Sequence, residues 1–116
     1  MSDCLFCKLA LREIATEFIY EDADIVAFND TNPKAPVHAL VIPKKHIATA
    51  NDAIYADAEL LGRLILAAKE VAIKKGIAQK GYRLIVNCGE NGGQVVNHLH
   101  MHVLGGKKMG PKGEEI

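Results

Sequence analysis

The stretch His98-Leu99-His100-Met101-His102-Val103-Leu104 decides how the rest of the chain is interpreted. Histidine alternates with an apolar residue, and a period of two is the period of a β-strand. On a strand, His98, His100 and His102 leave one face and their aliphatic neighbours leave the other. The apolar face can then lie on a core, while the opposite face presents imidazoles that can act as base, nucleophile or metal ligand near neutral pH.

Length and charge limit the class of protein. The 116 residues predict one domain over 1–116, large enough to bury a core without disulfides. Fourteen basic and 14 acidic residues balance, which argues against a general nucleic-acid binder and against a membrane-surface protein. Charges interrupt the long apolar stretches, so no membrane span is predicted. The N-terminus lacks signal-peptide features, and with three cysteines this favours the cytoplasm, where thiols stay reduced.

Periodicity and turn residues predict the remaining elements. A short helix is expected over Cys4–Arg12 with Asp3 as its N-cap, and a long helix from about Ala56 to Lys75, ended by Gly76. Further strands are expected over residues 18–20, 25–28, 38–42 and 82–87, and an irregular tail over 105–116. Strands and helices do not alternate strictly, so we predict an α+β fold: an antiparallel five-stranded sheet with one long helix and a short N-terminal helix.

The long helix carries an apolar stripe at helical spacing, which is typical of core packing rather than of a ligand site. The stripe comprises Leu60, Leu61, Leu64, Ile65, Ala68, Val71 and Ala72. It is equally compatible with burial inside one chain or between two chains.

A glycine-rich segment, Gly92-Gly93-Gln94, comes directly before the histidine run. Glycine allows a sharp turn, and successive backbone N–H groups in such a turn can form an anion-binding concavity. An anion cradle beside a neutral imidazole suggests nucleophilic attack on phosphorus. The middle histidine, His100, is then the candidate nucleophile, His102 is placed to donate to a phosphoryl oxygen or a leaving group, and His98 to orient the strand or to bind something else.

The segment Gly93–Leu104 resembles the signature of the histidine-triad (HIT) superfamily, and Phe28–Ile47 and Gly81–Asn87 are similar to its Hint branch. The resemblance runs from Cys4 to about Met109. It implies an enzyme of the purine nucleoside phosphoramidase type, which cleaves a P–N bond on an AMP or GMP moiety through a nucleotidyl-histidine intermediate. It also implies a homodimer, with the long helix and a sheet edge at the interface.

The same resemblance implies roles for individual residues. His100 would be the nucleophile, His102 would assist protonation of the leaving group, and His98 would complete the catalytic set. Asp30 would accept hydrogen bonds from the ribose hydroxyls, and His38 would orient its neighbours. The purine would meet an apolar wall of Leu5, Phe6, Leu9 and Phe28, and the phosphate side would be lined by Asn87, Gly93 and Gln94. Val95 stands where many relatives carry Ser or Thr, and valine cannot hydrogen-bond a phosphoryl oxygen or a leaving group.

The two cysteines of Cys4-Leu5-Phe6-Cys7 can converge on one ion across a helical turn. A redox role would need a thioredoxin-like context, which the sequence lacks. A zinc site needs two more ligands, and His46 and His98 are the candidates for a closed, structural Cys₂His₂ set. Some HIT relatives carry such a site. The alternative is a pair of buried, reduced cysteines; Cys88 has no partner in the sequence.

Three other functions remain open. A metallohydrolase would use all three histidines of the run on one zinc, but alternate strand positions lie about 6.5–7 Å apart, which is awkward for one tetrahedral centre. A dinucleoside polyphosphate hydrolase resembles this chain at the histidines. A non-enzymatic purine nucleotide-binding module is the third alternative, and Val95 leaves some room for it.

Overall fold

The computed structural model describes residues 3–111 of the chain. Its centre is a five-stranded antiparallel sheet with the strand order β1-β2-β3-β5-β4. The strands are β1 (Phe18–Glu21), β2 (Ile25–Asn29), β3 (Val37–Pro43), β4 (Arg83–Val86) and β5 (Met101–Gly105). The helices are α1 (Leu5–Ala10) and α2 (Ala58–Lys74), and two 3₁₀ turns, Ala50–Asp52 and Tyr55–Asp57, lead into α2. The predicted α+β fold is confirmed.

Each face of the sheet is covered by one helix. On one face, α2 packs against alternate strand residues such as Ala27, Val41 and Val103. On the other face, α1 packs Phe6 and Leu9 against the intervening residues of β2 and β3. The period of two therefore divides each central strand between two apolar layers, and the histidine-bearing face is the one under the short helix.

The long helix follows the predicted stripe except at Ile65, and it also buries Ala67, which the stripe did not include. Its buried residues are Leu64, Ala67, Ala68, Val71 and Ala72, while Leu60 and Leu61 are partly buried against the same core. Ile65 was expected in the stripe but is half exposed. It follows Leu64 by one residue, which rotates it about 100° away from the sheet. Gly76 has φ +76°, as expected of a glycine that ends a helix.

The histidine run is only partly a strand. β5 begins at Met101, so the prediction of a strand over 98–104 is wrong for residues 98–100. The physical reason lies in the partner strand, since Val41 pairs with Met101 and the same register would set Pro43 opposite Leu99. Proline has no N–H to donate to a ladder. The Leu99 N–H instead donates to the Ile47 carbonyl at 2.7 Å.

The two ends of the described chain also differ in detail from expectation. Cys4, not Asp3, is the N-cap of α1, because its Sγ accepts the N–H of Cys7 at 3.4 Å. The helix ends at Ala10 rather than at Arg12. Gly105 belongs to β5, residues 106–111 have no regular structure, and the predicted tail over 112–116 lies outside the described residues.

Candidate active site and metal-binding cluster

A cavity of about 650 Å³ opens on the face of the sheet that carries α1. One wall is apolar and the opposite end is polar. The lining includes ten of the predicted substrate-binding residues, namely Leu5, Phe6, Leu9, Phe28, Asp30, Asn87, Gly93, Val95, His100 and His102. The structure therefore brings these predicted residues together from the helix α1, from the strands β2 and β5, and from the segments that follow β2 and precede β5. Gln94 is the one predicted member that is not among them.

His100 is held by the backbone before it. Its Nδ1 lies 2.7 Å from the carbonyl oxygen of His98, and a carbonyl only accepts hydrogen bonds. The hydrogen of the neutral ring therefore sits on Nδ1, and Nε2 presents a lone pair. Phe6 contacts the ring edge-to-face, with centroids 5.2 Å apart. The buried His100 is thus an oriented imidazole with a nucleophilic Nε2.

His102 has the opposite arrangement of its hydrogen. The backbone N–H of Lys34 donates to His38 Nδ1 at 2.9 Å, so the neutral His38 ring carries its hydrogen on Nε2. That Nε2 lies 2.9 Å from His102 Nδ1 and donates to it. His102 then carries its own hydrogen on Nε2. The ring centroids of His100 and His102 are 5.0 Å apart, so a bare nitrogen and an N–H stand side by side at the polar end of the cavity.

Burial keeps the His38 and His102 rings neutral. Desolvation lowers the pKa of His102 to about 4, with His100 and His38 adding to the effect and Asp30 opposing it. Desolvation also lowers the pKa of His38, again against the influence of Asp30. At neutral pH, both rings are therefore in the single-proton form that the hydrogen-bond chain requires.

Asp30 lies at the end of β2 beside this chain. Its Oδ1 accepts the N–H of Asn32 at 2.8 Å, and its Oδ2 lies 3.4 Å from His38 Nε2. These contacts fix the direction of the carboxylate but leave acceptor sites open, since an ionised carboxylate has about four lone-pair positions. The site can therefore accept paired hydroxyl donors next to the histidines.

The glycine-rich loop does not offer the expected cradle of N–H groups. Gly92 and Gln94 donate their backbone N–H groups to the carbonyl of Gly89, and Gly93 donates to Glu90. The Gln94 side chain bonds the backbone instead of entering the cavity: its Nε2 donates to the Ala48 and Val96 carbonyls, and its Oε1 accepts from Gly89. The loop acts as a brace for the histidine segment, and the backbone N–H groups of Gly92, Gly93 and Gln94 are already bonded within it.

A separate cluster beneath the cavity joins Cys4, Cys7, His46 and His98. One ligand atom from each lies within 4.8 Å of all the others. Cys4 Sγ and Cys7 Sγ lie 3.3 and 3.4 Å from His98 Nδ1. Cys7 Sγ and His98 Nδ1 each lie 3.2 Å from His46 Nδ1. Ligands about 2.0–2.3 Å from a tetrahedral zinc lie roughly 3.3–3.8 Å from one another, so the set fits zinc.

The hydrogen position on His98 agrees with this fit. Its Nε2 lies 2.8 Å from the Pro43 carbonyl and must donate to it, so the neutral ring turns a lone pair on Nδ1 toward the sulfurs. Burial lowers the pKa of this fully buried ring, which favours the neutral, ligating form. Two thiols and two imidazoles form a donor set that zinc prefers.

Comparison with known proteins identifies the family of the chain. A family model described as the HIT domain matches residues 11–109. The chain is 45% identical over 109 residues to the purine nucleoside phosphoramidase of Escherichia coli (strain K12), covering 94% of this chain and 92% of the relative. The chain belongs to the HIT domain family. It is an enzyme, a hydrolase of that family.

Solved structures agree with this membership. A HIT family hydrolase from Clostridium thermocellum superposes with a TM-score of 0.92 at 50% identity, covering 97% of both chains. A HIT family hydrolase from Legionella pneumophila Philadelphia 1 gives a TM-score of 0.90 at 49% identity, covering 93% of this chain and 96% of that one. The strand order and the two helices described above are therefore those of HIT proteins.

Within this HIT domain, a single zinc held by all three histidines of the run is not favoured. His98 and His102 lie in different clusters of potential ligands among the described residues, and His100 lies in neither. The second cluster contains Asp30, His38 and His102. It is better described as a hydrogen-bond chain, because the Lys34 N–H on His38 Nδ1 keeps the hydrogen on the Nε2 that a metal would need.

Sequence reasoning missed several residues that line the HIT cavity. They include Ile14, Thr16, Lys34, Leu40 and Val96. Leu40 carried a usable signal, since it follows His38 by two residues on a strand and so shares its face. Lys34 gave none, because it sits in a loop whose path the sequence does not determine. Val95 lies at the mouth of the cavity and is 91% exposed.

No helix among the described residues has the length and apolar character that crossing a membrane requires.

Proposed function

We propose that the chain cleaves a P–N or related bond at the α-phosphate of AMP or GMP conjugates, through a covalent nucleotidyl intermediate on His100. The observation that carries the proposal is the 2.7 Å contact of His100 Nδ1 with the His98 carbonyl. It leaves Nε2 unprotonated and also stabilises the positive charge that the ring acquires when Nε2 bonds to phosphorus. The relative from Escherichia coli, a purine nucleoside phosphoramidase, supports the same substrate class.

The cavity supports a purine nucleotide as the ligand. Leu5, Phe6, Leu9 and Phe28 form an apolar wall that suits a flat base, with Phe6 and Phe28 edge-to-face at 5.6 Å. Asp30 suits the two ribose hydroxyls. The α-phosphate then reaches His100 and His102 at the polar end. Val95 at the cavity mouth offers no hydrogen bond to a leaving group, so this position tunes rate and leaving-group preference.

The reaction has two steps. His100 Nε2 attacks phosphorus, the N–P bond to the histidine forms, and the P–N bond to the amine breaks. The amine nitrogen leaves with a proton taken up from solvent, and His102 assists it by donating a hydrogen bond from Nε2. Water then attacks phosphorus, the histidine–phosphorus bond breaks, and one proton returns to solvent. His38 holds His102 in the required protonation state throughout.

We further propose that the Cys4–Cys7–His46–His98 cluster binds a structural zinc. Four protein ligands leave no position for water, so the metal would stabilise the fold rather than act on substrate. Zinc needs reduced thiols, which agrees with the cytoplasm as the compartment.

We propose a homodimer as well. Exposed apolar side chains on α2, including Leu66 and Ile73, and the position of β4 as an edge strand of the sheet support it. Light scattering of the purified protein would decide the mass of the assembly.

The decisive experiment compares AMP and GMP amine conjugates with diadenosine polyphosphates as substrates of one preparation whose zinc content is measured. We expect kcat/KM to favour the amine conjugates, and a nucleotidyl mass adduct on the peptide that contains His100 after alkaline quenching. His100→Asn should bind AMP with near-normal affinity but lose turnover. Preference for the polyphosphates would favour the dinucleoside alternative, and normal turnover by His100→Asn would end the nucleophile assignment.

A further inference from the structure

Phe6 lies between the two cysteines in sequence and between the metal-binding cluster and the nucleotide cavity in space. Its buried ring meets His98 of the cluster with centroids 6.0 Å apart, and His100 with centroids 5.2 Å apart. Both contacts are edge-to-face, with interplanar angles of 71° and 88°. The same ring packs on Phe28 in the apolar wall. One side chain therefore touches a candidate metal ligand, the candidate nucleophile and the purine pocket.

The helix that carries Phe6 is too short to be stable alone. α1 has six residues, and isolated helices shorter than about 12 residues are marginal in water. Its N-cap is Cys4, and Cys7 is buried inside it. Both cysteine sulfurs lie within hydrogen-bonding distance of His98 Nδ1. Whatever fixes these sulfurs to the histidines also fixes the position of α1 over the sheet.

His98 provides a second connection. Its ring is part of the cluster, while its own carbonyl accepts the Nδ1–H of His100. A shift of the His98 backbone that repositions the ring in the cluster therefore also moves the carbonyl that accepts the Nδ1–H of His100. Both connections run from the cluster to the same imidazole, one through the backbone and one through the Phe6 ring.

We propose that Phe6 is a positioning residue that couples the cysteine–histidine cluster to the nucleotide cavity, so that metal binding and nucleotide binding strengthen each other. The inference rests on the proposed function for the identity of both ligands. Ordering α1 costs conformational entropy. When the first ligand has ordered the helix, the second ligand binds without most of this cost and therefore binds more tightly. The coupling is necessarily reciprocal, because it is a free energy shared by two binding equilibria.

The test measures AMP affinity by calorimetry for zinc-loaded and metal-free protein, and zinc affinity by chelator competition with and without saturating AMP. We expect AMP to bind about tenfold more tightly to the loaded form, and zinc affinity to rise by the same factor. Cys88→Ser, which changes a thiol outside the cluster, should keep both factors. Equal AMP affinity of the two folded forms would overturn the coupling. AMP binding by neither form would contradict the proposed function, and the coupling with it.

Phe6→Leu separates positioning from simple stability. The variant should still bind one zinc per chain. The tenfold ratio of AMP affinities between the zinc-loaded and the metal-free protein should fall toward one. Leu9→Met changes the same helix and the same apolar wall, but neither side chain has an aromatic ring to meet His98 and His100 edge-to-face. This variant should keep the factor even if AMP binds more weakly. An unchanged factor in Phe6→Leu would overturn the role given to this ring.

A spectroscopic arm covers the case in which the metal-free protein unfolds, as judged by circular dichroism. Co²⁺ in place of zinc has visible absorption bands that report the geometry of its ligands. Saturating AMP should shift these bands in the wild type and in Leu9→Met but not in Phe6→Leu. Bands that do not respond to AMP in the wild type, or that respond equally in Phe6→Leu, would overturn the proposal.

Discussion

His38 Nε2 lies 2.9 Å from His102 Nδ1 and donates a hydrogen bond to it. The chain of donors begins at the Lys34 backbone, which donates to His38 Nδ1 at 2.9 Å, and it ends at the Nε2–H of His102 in the cavity. A backbone amide can only donate, so it determines the hydrogen positions on both rings. The backbone N–H of Lys34, at the edge of the site, thus determines that His102 presents an N–H group in the cavity.

Loss of the His38 ring should lower turnover rather than binding. In His38→Ala, the neutral His102 ring can carry its hydrogen on either nitrogen. The tautomer with hydrogen on Nε2 then makes up a smaller fraction, and its ring is less well oriented. We expect kcat for an AMP amine conjugate to fall roughly ten- to a hundredfold with KM little changed. His38→Gln restores a donor of similar reach and should recover part of the loss. A fall in KM and kcat that is identical in both variants would contradict a role in orienting His102.

Stability should fall as the solution becomes acidic. The pKa of His102 is lowered from 6.5 to about 4 in the folded protein, so between these values the unfolded chain binds a proton that the folded one does not. The contribution is complete above pH 6.5 and is lost as the pH approaches 4. From pH 7 to pH 5, this one group should lower the free energy of unfolding by about 2 kcal/mol.

Urea unfolding of the wild type and of His102→Asn at both pH values measures the effect. Because His102 is coupled to His38 and His100, the difference between the two pH dependences reports His102 together with its interactions with those two rings. Parallel losses in the two proteins would show that His102 has an ordinary pKa.

Asp30 should distinguish ribose from deoxyribose. Hydrogen bonds to a charged group contribute about 1.5–3 kcal/mol, so Asp30→Ala should weaken AMP binding by roughly ten- to a hundredfold. Wild-type protein should bind 2′-deoxy-AMP more weakly than AMP, whereas Asp30→Ala should bind the two alike. Calorimetric titrations of AMP and of 2′-deoxy-AMP into the wild type and into Asp30→Ala measure the four affinities. Continued discrimination by the variant would remove Asp30 from the ribose site.

Gly92 should tolerate no side chain. A Cβ at this position would lie 2.3 Å from the Cys88 carbonyl oxygen, and the Gly92 carbonyl accepts from Asn87 Nδ2 at 2.8 Å. Gly92→Ala must therefore move the loop that braces the histidine segment, and we expect a loss of about 1–3 kcal/mol in unfolding free energy together with lower kcat/KM.

Gly62→Ala is the matched control for that substitution. Gly62 lies in α2, and nothing stands within 4 Å of the added methyl group. Alanine there should raise the unfolding free energy by about 0.5–1 kcal/mol and leave kcat/KM unchanged. Stability changes of the same sign in the two variants would contradict the steric argument.

Local periodicity predicted much of the fold. The alternation around His100 predicted correctly that the imidazoles and the aliphatic side chains occupy opposite sides, even though β5 begins only at Met101. The early end of the ladder depends on Pro43, a residue of another strand, and the register that brings it there is a tertiary property. Ile65 shows the same limit, because a stripe of residues predicts a helix face but not its edges.

The candidate site was predictable where the residue type alone restricts the chemistry. The histidines and cysteines predicted a candidate metal-binding cluster, and the structure brings its four side chains together. Gln94 was assigned to the phosphate, but loop closure uses its amide, and hydrogen bonds of this kind cannot be read from one sequence. Asp3 is the better N-cap by residue preference, yet Cys4 takes the position, and its sulfur accepts the N–H of Cys7 while lying 3.3 Å from His98 Nδ1.

The sheet is assembled out of chain order. β5 follows every other strand in sequence and yet lies between β3 and β4. Without β5, β4 has no strand to pair with, and β1, β2 and β3 form a meander in which one edge of β3 lacks its partner strand. A growing polypeptide that has not yet produced residues 101–105 therefore cannot complete its sheet. The histidines reach their working positions only with this last insertion, so chemical competence and the final closing step of folding arrive together.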